Sequence, residues 1–200
     1  EQRKNTWNIC DVGGQHLGEF DYVISTAPAP QSAELLAGAP ILQQQAILAK
    51  MHACWAVMVS FDESLELPFD GAFVQQSPLS WISRNDSKPD RGSEYESWVL
   101  HASPDWSDRC VDEEPDTVLN DLIEAFWRAT GSKHRATRYA TSHRWRYAIP
   151  LQPLESRCLY DSRLKIGACG DWCSGPRIEG AFLSGMAMAG RVLGHMPTPR

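Results

Sequence analysis

Gly170-Asp171-Trp172-Cys173-Ser174-Gly175-Pro176-Arg177-Ile178-Glu179-Gly180-Ala181 is the stretch that decides the fold of this chain. It follows a short apolar run of strand character, Leu164-Lys165-Ile166-Gly167-Ala168-Cys169. It opens a helix expected to begin near Ile178 or Glu179 and to end near Leu193. The helix interior carries Ala181, Ser184, Gly185, Ala187, Ala189 and Gly190, small residues that allow close approach to a sheet or a ligand. A carboxylate at the C-terminal edge of a strand can accept hydrogen bonds from sugar-type hydroxyls. A helix N-terminus at Gly180-Ala181 leaves backbone N–H groups free and offers a positive dipole end to a carbonyl or a developing anion. The same residues also spell a plain strand, an Asp turn and a helix packed by small residues. Spacing alone favours that plainer reading.

Upstream, Thr6 to Asp11 and Phe20 to Thr26 read as two short strands joined by a turn at Val12-Gly13-Gly14-Gln15. Ala27-Pro28-Ala29-Pro30 stops the second strand, and a helix is expected from Gln31 to Leu36. Pro40 to Lys50 reads as a further helix with Pro40 in its first turn. Strands are then expected over His52 to Phe61, Ala72 to Gln75, Leu79 to Ser83 and Tyr95 to Ala102, broken by Asp70-Gly71 and the polar stretch Arg84 to Gly92. Asp112 to Asp116 places acidic residues where a helix start favours them. Val118, Leu122 and Phe126 share one face of that helix, and Gly131 ends it. Thr137 to Ala148 is strand-like and aromatic.

A net charge of −6 over 200 residues argues against nucleic acid or an anionic membrane as the main partner, since both need a basic face. No apolar stretch reaches the roughly 20 residues of a membrane span, and none suggesting a signal peptide follows Glu1 to Asn5. A soluble, cytoplasmic protein is the expectation. The six cysteines, Cys10, Cys54, Cys110, Cys158, Cys169 and Cys173, mostly lie in apolar surroundings that suit buried free thiols. Cys169 and Cys173 lack C-x-x-C spacing, and no Cys/His pairs have zinc-site spacing, so no metal is expected. Eight tryptophans suit either an aromatic core or the walls of a site for a large flat ligand.

Gly170-Asp171 followed by Glu179-Gly180-Ala181 and Ser184-Gly185 resembles the C-terminal FAD signature of the flavin-containing amine oxidases, most closely their renalase-like branch. The resemblance continues, in the same order, through Phe20-Asp21-Tyr22-Val23-Ile24-Ser25-Thr26-Ala27-Pro28-Ala29-Pro30-Gln31, Trp98-Val99-Leu100-His101-Ala102 and Arg144-Trp145-Arg146-Tyr147-Ala148. It covers nearly the whole chain. It implies an α/β (α+β) fold: an antiparallel substrate-domain sheet with helices, plus the closing strand and helix of a Rossmann-like FAD-binding domain. Residues 1–38 and 151–200 would belong to the FAD-binding domain and residues 39–150 to the substrate domain. Residue by residue, Gly170 and Asp171 would lie at the FAD, with Asp171 on the ribityl chain. The backbone of Ile178, Glu179, Gly180 and Ala181 would face the pyrimidine end of the isoalloxazine, where reduced flavin gains charge that a helix N-terminus stabilises. Arg177 either assists there or caps a surface.

The implied activity is hydride transfer from misreduced (2- or 6-dihydro) isomers of NAD(P)H to FAD, with dioxygen then reduced to hydrogen peroxide. A true amine oxidase, which wants two facing aromatic rings beside the flavin, and a non-catalytic interaction module are the alternatives. One departure stands out. The strand, G-x-G-x-x-G turn and acidic residue that hold the ADP half are missing, so the chain is expected to be a piece that starts after the ADP-binding unit. Substrate-side candidates are His101, Trp145, Tyr147 and Trp172, each also readable as a structural or core residue. Ser25, Ser174 and Ser184 lack a G-x-S-x-G elbow. The basic cluster from Lys133 to Arg146 reads as a solvated strand face or a contact for a phosphate-bearing small molecule.

Overall fold

The structure, a computed structural model, describes residues 2–3, 6–92 and 94–196. In chain order the elements are β1 Gln2–Arg3, β2 Thr6–Cys10, β3 His16–Phe20, β4 Val23–Ser25, α1 Ala29–Leu35, α2 Pro40–Leu48, β5 Met51–Phe61, β6 Gly71–Phe73, β7 Leu79–Arg84, β8 Glu96–Ala102, α3 Pro104–Arg109, α4 Pro115–Thr130, β9 Thr137–Pro150, β10 Leu159–Asp161, β11 Ile166–Ala168, α5 Asp171–Ser174 and α6 Ile178–Leu193. The fold is mixed α/β. The chain divides into two units, residues 1–51 with 149–200, and residues 52–148.

In the unit of residues 52–148 a five-stranded sheet runs in the order β6-β7-β8-β5-β9. Alternation fixes its two faces. Trp55, Val57, Val59 and Phe61 of β5 and Trp98, Leu100 and Ala102 of β8 point into one core, where α4 lays Val118, Leu122, Ala125 and Phe126 against them. Burying each such large side chain contributes about 1.5–3 kcal/mol. Phe126 is fully buried, with ring contacts to Phe61, Trp98 and Trp127. Glu96 is buried but satisfied: it accepts from Ser64 Oγ (2.6 Å), the Leu65 N–H (3.1 Å) and Trp98 Nε1 (2.7 Å). Pro115 and Asp116 open α4, and Gly131, at φ 67°, closes it in the left-handed conformation. The acidic run therefore straddles the boundary. Asp112 stays outside the helix and pairs with Arg146 (2.6 Å). Helix α3 was not expected, although Ser103 and Pro104 carry its signal: the Ser103 hydroxyl accepts from the Trp106 N–H, and proline sits in the first turn.

The unit of residues 1–51 with 149–200 holds two three-stranded sheets, β1-β2-β3 and β10-β11-β4. The hairpin partner of β2 is His16–Phe20 rather than the Phe20 to Thr26 run, with Trp7 opposite Phe20. Asp11 accepts from the Gly13 and Gln15 N–H groups and shapes the turn. Because β3 is exposed at nearly every position, it has no alternation to read. Strand β4 pairs in parallel with β11, Val23 opposite Ile166 and Ser25 opposite Ala168, while β10 flanks β11 antiparallel. The core joins Trp7, Leu36, Leu42, Ala46, Leu159, Ile166 and Trp172. Trp7 Nε1 donates to the Leu164 carbonyl at 2.8 Å, closing a contact over 157 residues of sequence. Among the described residues no helix is long and apolar enough to cross a membrane.

Candidate functional site

Because β4 and β11 are parallel, both leave their sheet at the same edge. The exits are tied together: Trp172 Nε1 donates to the Ala27 carbonyl at 3.1 Å, and the Cys169 N–H donates to the Ser25 carbonyl at 3.0 Å. Asp171 does not lie on the strand. Strand β11 ends at Ala168, and after an extended Gly170 the chain turns into the single helical turn α5 with Asp171 at its start. The Gly175 N–H closes that turn on the Asp171 carbonyl (2.6 Å). Burial pushes the half-buried Asp171 carboxyl above its ordinary value, opposed by bonds from its own and the Trp172 backbone N–H. Ser174 Oγ, three residues on, is buried without a hydrogen-bond partner among the described residues.

Helix α6 begins at Ile178, within the expected two positions, and no side chain caps its N-terminus. Arg177, Ile178, Glu179 and Ala181 are exposed, Ile178 almost fully. Gly180 is buried, and a Cβ on it would lie 2.2 Å from the Gly175 carbonyl oxygen, so only glycine lets the helix start this close to the turn. Ser184 holds the turn from behind, accepting from the Gly170 N–H (2.9 Å) and donating to the Arg157 carbonyl (2.6 Å). Gly170 through Ala181 thus form one continuous feature. Trp172, expected as a wall, is instead a core residue at 1% exposure that supports the turn from inside.

The other candidates belong to the unit of residues 52–148. His101 lies opposite Ala56 on β5, on the sheet face away from α4. On β9, Ala140 packs against the core and Arg144 lies over the Trp55 ring, so Trp145 and Tyr147 fall on the same outer face as His101. Met58, Trp81, Val99 and Phe73 share it by register. Sequence reading missed these, although strand alternation carries the signal. Trp145 is 58% exposed, with His143 edge-on at 4.6 Å. Burial, and then Lys88, lower the His101 pKa, keeping the ring neutral near pH 7. The basic cluster is engaged in ion pairs: Arg135 with Glu63, Arg138 with Asp62, and Arg144 and Arg146 with Asp112. All six cysteines are free; Cys54, Cys169 and Cys173 are buried and Cys10 is exposed.

The sequence model for flavin containing amine oxidoreductases matches residues 1–193. The fold is similar to that of a protein assigned as a protoporphyrinogen oxidase from Exiguobacterium sp. 255-15 (TM-score 0.74, 15% identity, 96% of this chain and 45% of that one). It is also similar to cyclohexylamine oxidase from Brevibacterium oxydans IH-35A (TM-score 0.69, 12% identity, 96% and 46%). Reduced UDP-galactopyranose mutase aligns as well (TM-score 0.66, 14% identity, 96% and 44%). The chain therefore spans a little under half the length of these structures. A family match over nearly the whole chain, on a fold that places Gly170 to Ala181 between a parallel strand and an uncapped helix, makes this chain a member of the flavin-containing amine oxidoreductase family.

Proposed function

We propose that the chain is part of an FAD-dependent oxidoreductase, with the turn from Gly170 to Ala181 holding the flavin half of the cofactor. One observation carries this reading: a half-buried carboxylate, a buried hydroxyl without a partner among the described residues and an uncapped helix start follow one another between Asp171 and Ile178. That donor and acceptor set suits the group. Beyond the two backbone N–H groups that it already faces, the Asp171 carboxylate would accept from ribityl hydroxyls. The N–H groups at the start of α6 and the Ser174 hydroxyl would face carbonyl oxygens of the ring. Bound FAD would supply a hydride acceptor and a route for two electrons to dioxygen, giving hydrogen peroxide. Gly180 allows the helix N-terminus to approach, Ser184 fixes the Gly170 backbone, and Trp172 fixes the turn against Ala27. Arg177 is exposed at the N-cap position of α6, beside the same end.

The outer sheet face with His101, Trp145 and Tyr147 is the proposed substrate side, and misreduced dihydronicotinamide dinucleotides are the proposed substrates. Support comes from the renalase-like residue pattern and from a neutral His101, which can bond a carboxamide without repelling a cationic product. A true amine oxidase wants two facing rings, whereas the described ring contact of Trp145 is edge-on to His143. A cytoplasmic setting fits the buried free thiols. Since these residues reach only the flavin half, FAD is expected to bind the 200-residue chain weakly. Flavin fluorescence titration tests the site: Asp171→Asn should weaken binding about tenfold to a hundredfold, the loss of a charge-assisted hydrogen bond. The same variant should not destabilise the chain, because burial already disfavours the carboxylate. Equal affinity in the variant would remove Asp171 from the site. Flavin bleaching and peroxide release with 2- and 6-dihydro isomers of NAD(P)H, against primary amines, test the substrate. Turnover of amines alone would overturn the dihydronicotinamide reading.

A further inference from the structure

Strands β10 and β11 pair with Leu159 opposite Ala168, Tyr160 opposite Gly167 and Asp161 opposite Ile166. The ladder ends there; Cys158 and Cys169 are the next residues on the two chains, near enough for the two thiols to act on one another electrostatically, and Arg157 and Gly170 follow them. Hydrogen bonds link that last pair. The Gly170 N–H reaches the Arg157 carbonyl through the Ser184 hydroxyl, so a side chain of α6 replaces the direct ladder bond and keeps the strand ends together. The Cys169 N–H points to Ser25 on β4, away from β10. In a ladder continued one step, Cys158 and Cys169 would form a non-hydrogen-bonded antiparallel pair, the type with Cα atoms about 4.5 Å apart and side chains nearest. A disulfide spans Cα separations of about 4.4–6.8 Å. Continued alternation would put both thiols on the face of Tyr160 and Gly167, where Met188 of α6 packs at Gly167, while Leu159, Ile166 and Ala168 belong to the core.

Access separates the two sulfurs. Cys158 is partly exposed, and Cys169 is 5% exposed. Burial pushes the Cys158 thiol up, but Arg191 on α6 works in the opposite direction and favours its thiolate. A third thiol, Cys173, is pushed up to about 12 by burial and stays protonated. Among the described residues no group of three His, Cys, Asp or Glu is placed to hold a metal ion.

We propose that Cys158 and Cys169 form a reversible cross-strand disulfide, a redox modification site at the strand end that leads into the Gly170 to Ala181 turn. The oxidant is a small-molecule disulfide such as oxidised glutathione. The Cys158 thiolate attacks one of its sulfurs and releases one glutathione, which takes up the proton Cys158 lost. Cys169, deprotonating in turn, attacks the Cys158 sulfur and releases the second glutathione with that proton. Two protein thiols are oxidised and one small disulfide is reduced. The bridge adds a covalent tie beside the link that the Ser184 hydroxyl makes between Gly170 and Arg157. The proposal stands independently of the flavin reading.

The folded protein, equilibrated in glutathione buffers of graded ratio, quenched with iodoacetamide and cut with trypsin, gives the test. Cleavage after Arg157, Arg163, Lys165 and Arg177 separates a peptide holding Cys158 from one holding Cys169 and Cys173. A disulfide-linked pair of these peptides is expected under oxidising ratios, disappearing again under reducing ones. Fragmentation of the wild-type crosslink should place it on Cys169, so the result does not depend on a variant folding. Cys173→Ser should retain the crosslink and Cys169→Ser should lose it. Linkage to Cys173, scrambled pairing with Cys10 or Cys54, or alkylation of both thiols at every ratio would each overturn the proposal.

Discussion

Residues 52–148 build their core on strands of up to 14 residues, whereas residues 1–51 with 149–200 work with strands of two to five. In the first region the neighbours β7 and β8 are close in sequence, and α4 follows soon after to cover them. In the second, contacts such as Trp7 to Leu164 and Trp172 to Ala27 span 157 and 145 residues. The surfaces differ as well. Ile178, Phe182, Met186 and Leu193 of α6 stand at 93%, 64%, 58% and 67% exposure, while Val118, Leu122, Phe126 and Trp127 of α4 are buried. Residues 52–148 close a core locally between one sheet face and α4, although Phe73 and Trp145 on the other sheet face stay exposed. A region assembled from distant segments leaves apolar surface that its own residues do not cover.

Truncating the sealed core should have the largest effect. Phe126→Ala is expected to cost about 3–5 kcal/mol in urea denaturation, since it opens a cavity among Phe61, Trp98 and Trp127. A cost under about 1 kcal/mol would mean that this core collapses freely, and the contrast would fail. Next comes the close approach in the turn. Gly180→Ala should cost about 1–3 kcal/mol, because the obstacle is backbone at Gly175 rather than a side chain that can move. Gly185→Ala on the same helix, with open space around the added carbon, should be neutral or stabilise by up to about 1 kcal/mol. Equal effects at the two positions would show that the turn yields.

A smaller, pH-dependent effect belongs to His101. Its folded pKa lies below the ordinary value of 6.5, so the unfolded chain takes up the proton first as pH falls. The stability that the neutral ring contributes near pH 7 should decline as pH drops through 6.5, until the folded form protonates too. His101→Gln should flatten that part of the stability profile, measured by denaturation at successive pH values. The smallest effect is expected at Phe182. At 64% exposure its truncation to Ala should change stability by no more than about 0.5 kcal/mol. A cost near that of Phe126→Ala would show that the α6 face is covered in solution.

The sequence by itself determined the long elements and the decisive turn. Alternation in β5 and β8, the apolar stripe and terminal glycine of α4, and the small residues of α6 each encode a local structure that needs no distant partner to be recognised. The candidate turn was legible because its residue types and order form a recognisable signature. Only the tertiary structure decided the rest. It moved Asp171 from a strand edge into a helical turn, drew Trp172 into the core, and chose His16–Phe20 rather than the Phe20 to Thr26 run as the hairpin partner. It also placed His101, Trp145 and Tyr147 on one sheet face and brought the Cys158 and Cys169 thiols near one another. Strands of three residues have too little period to declare a face. A tryptophan's burial depends on which distant segments meet it, and a cross-strand neighbour exists only once register is fixed.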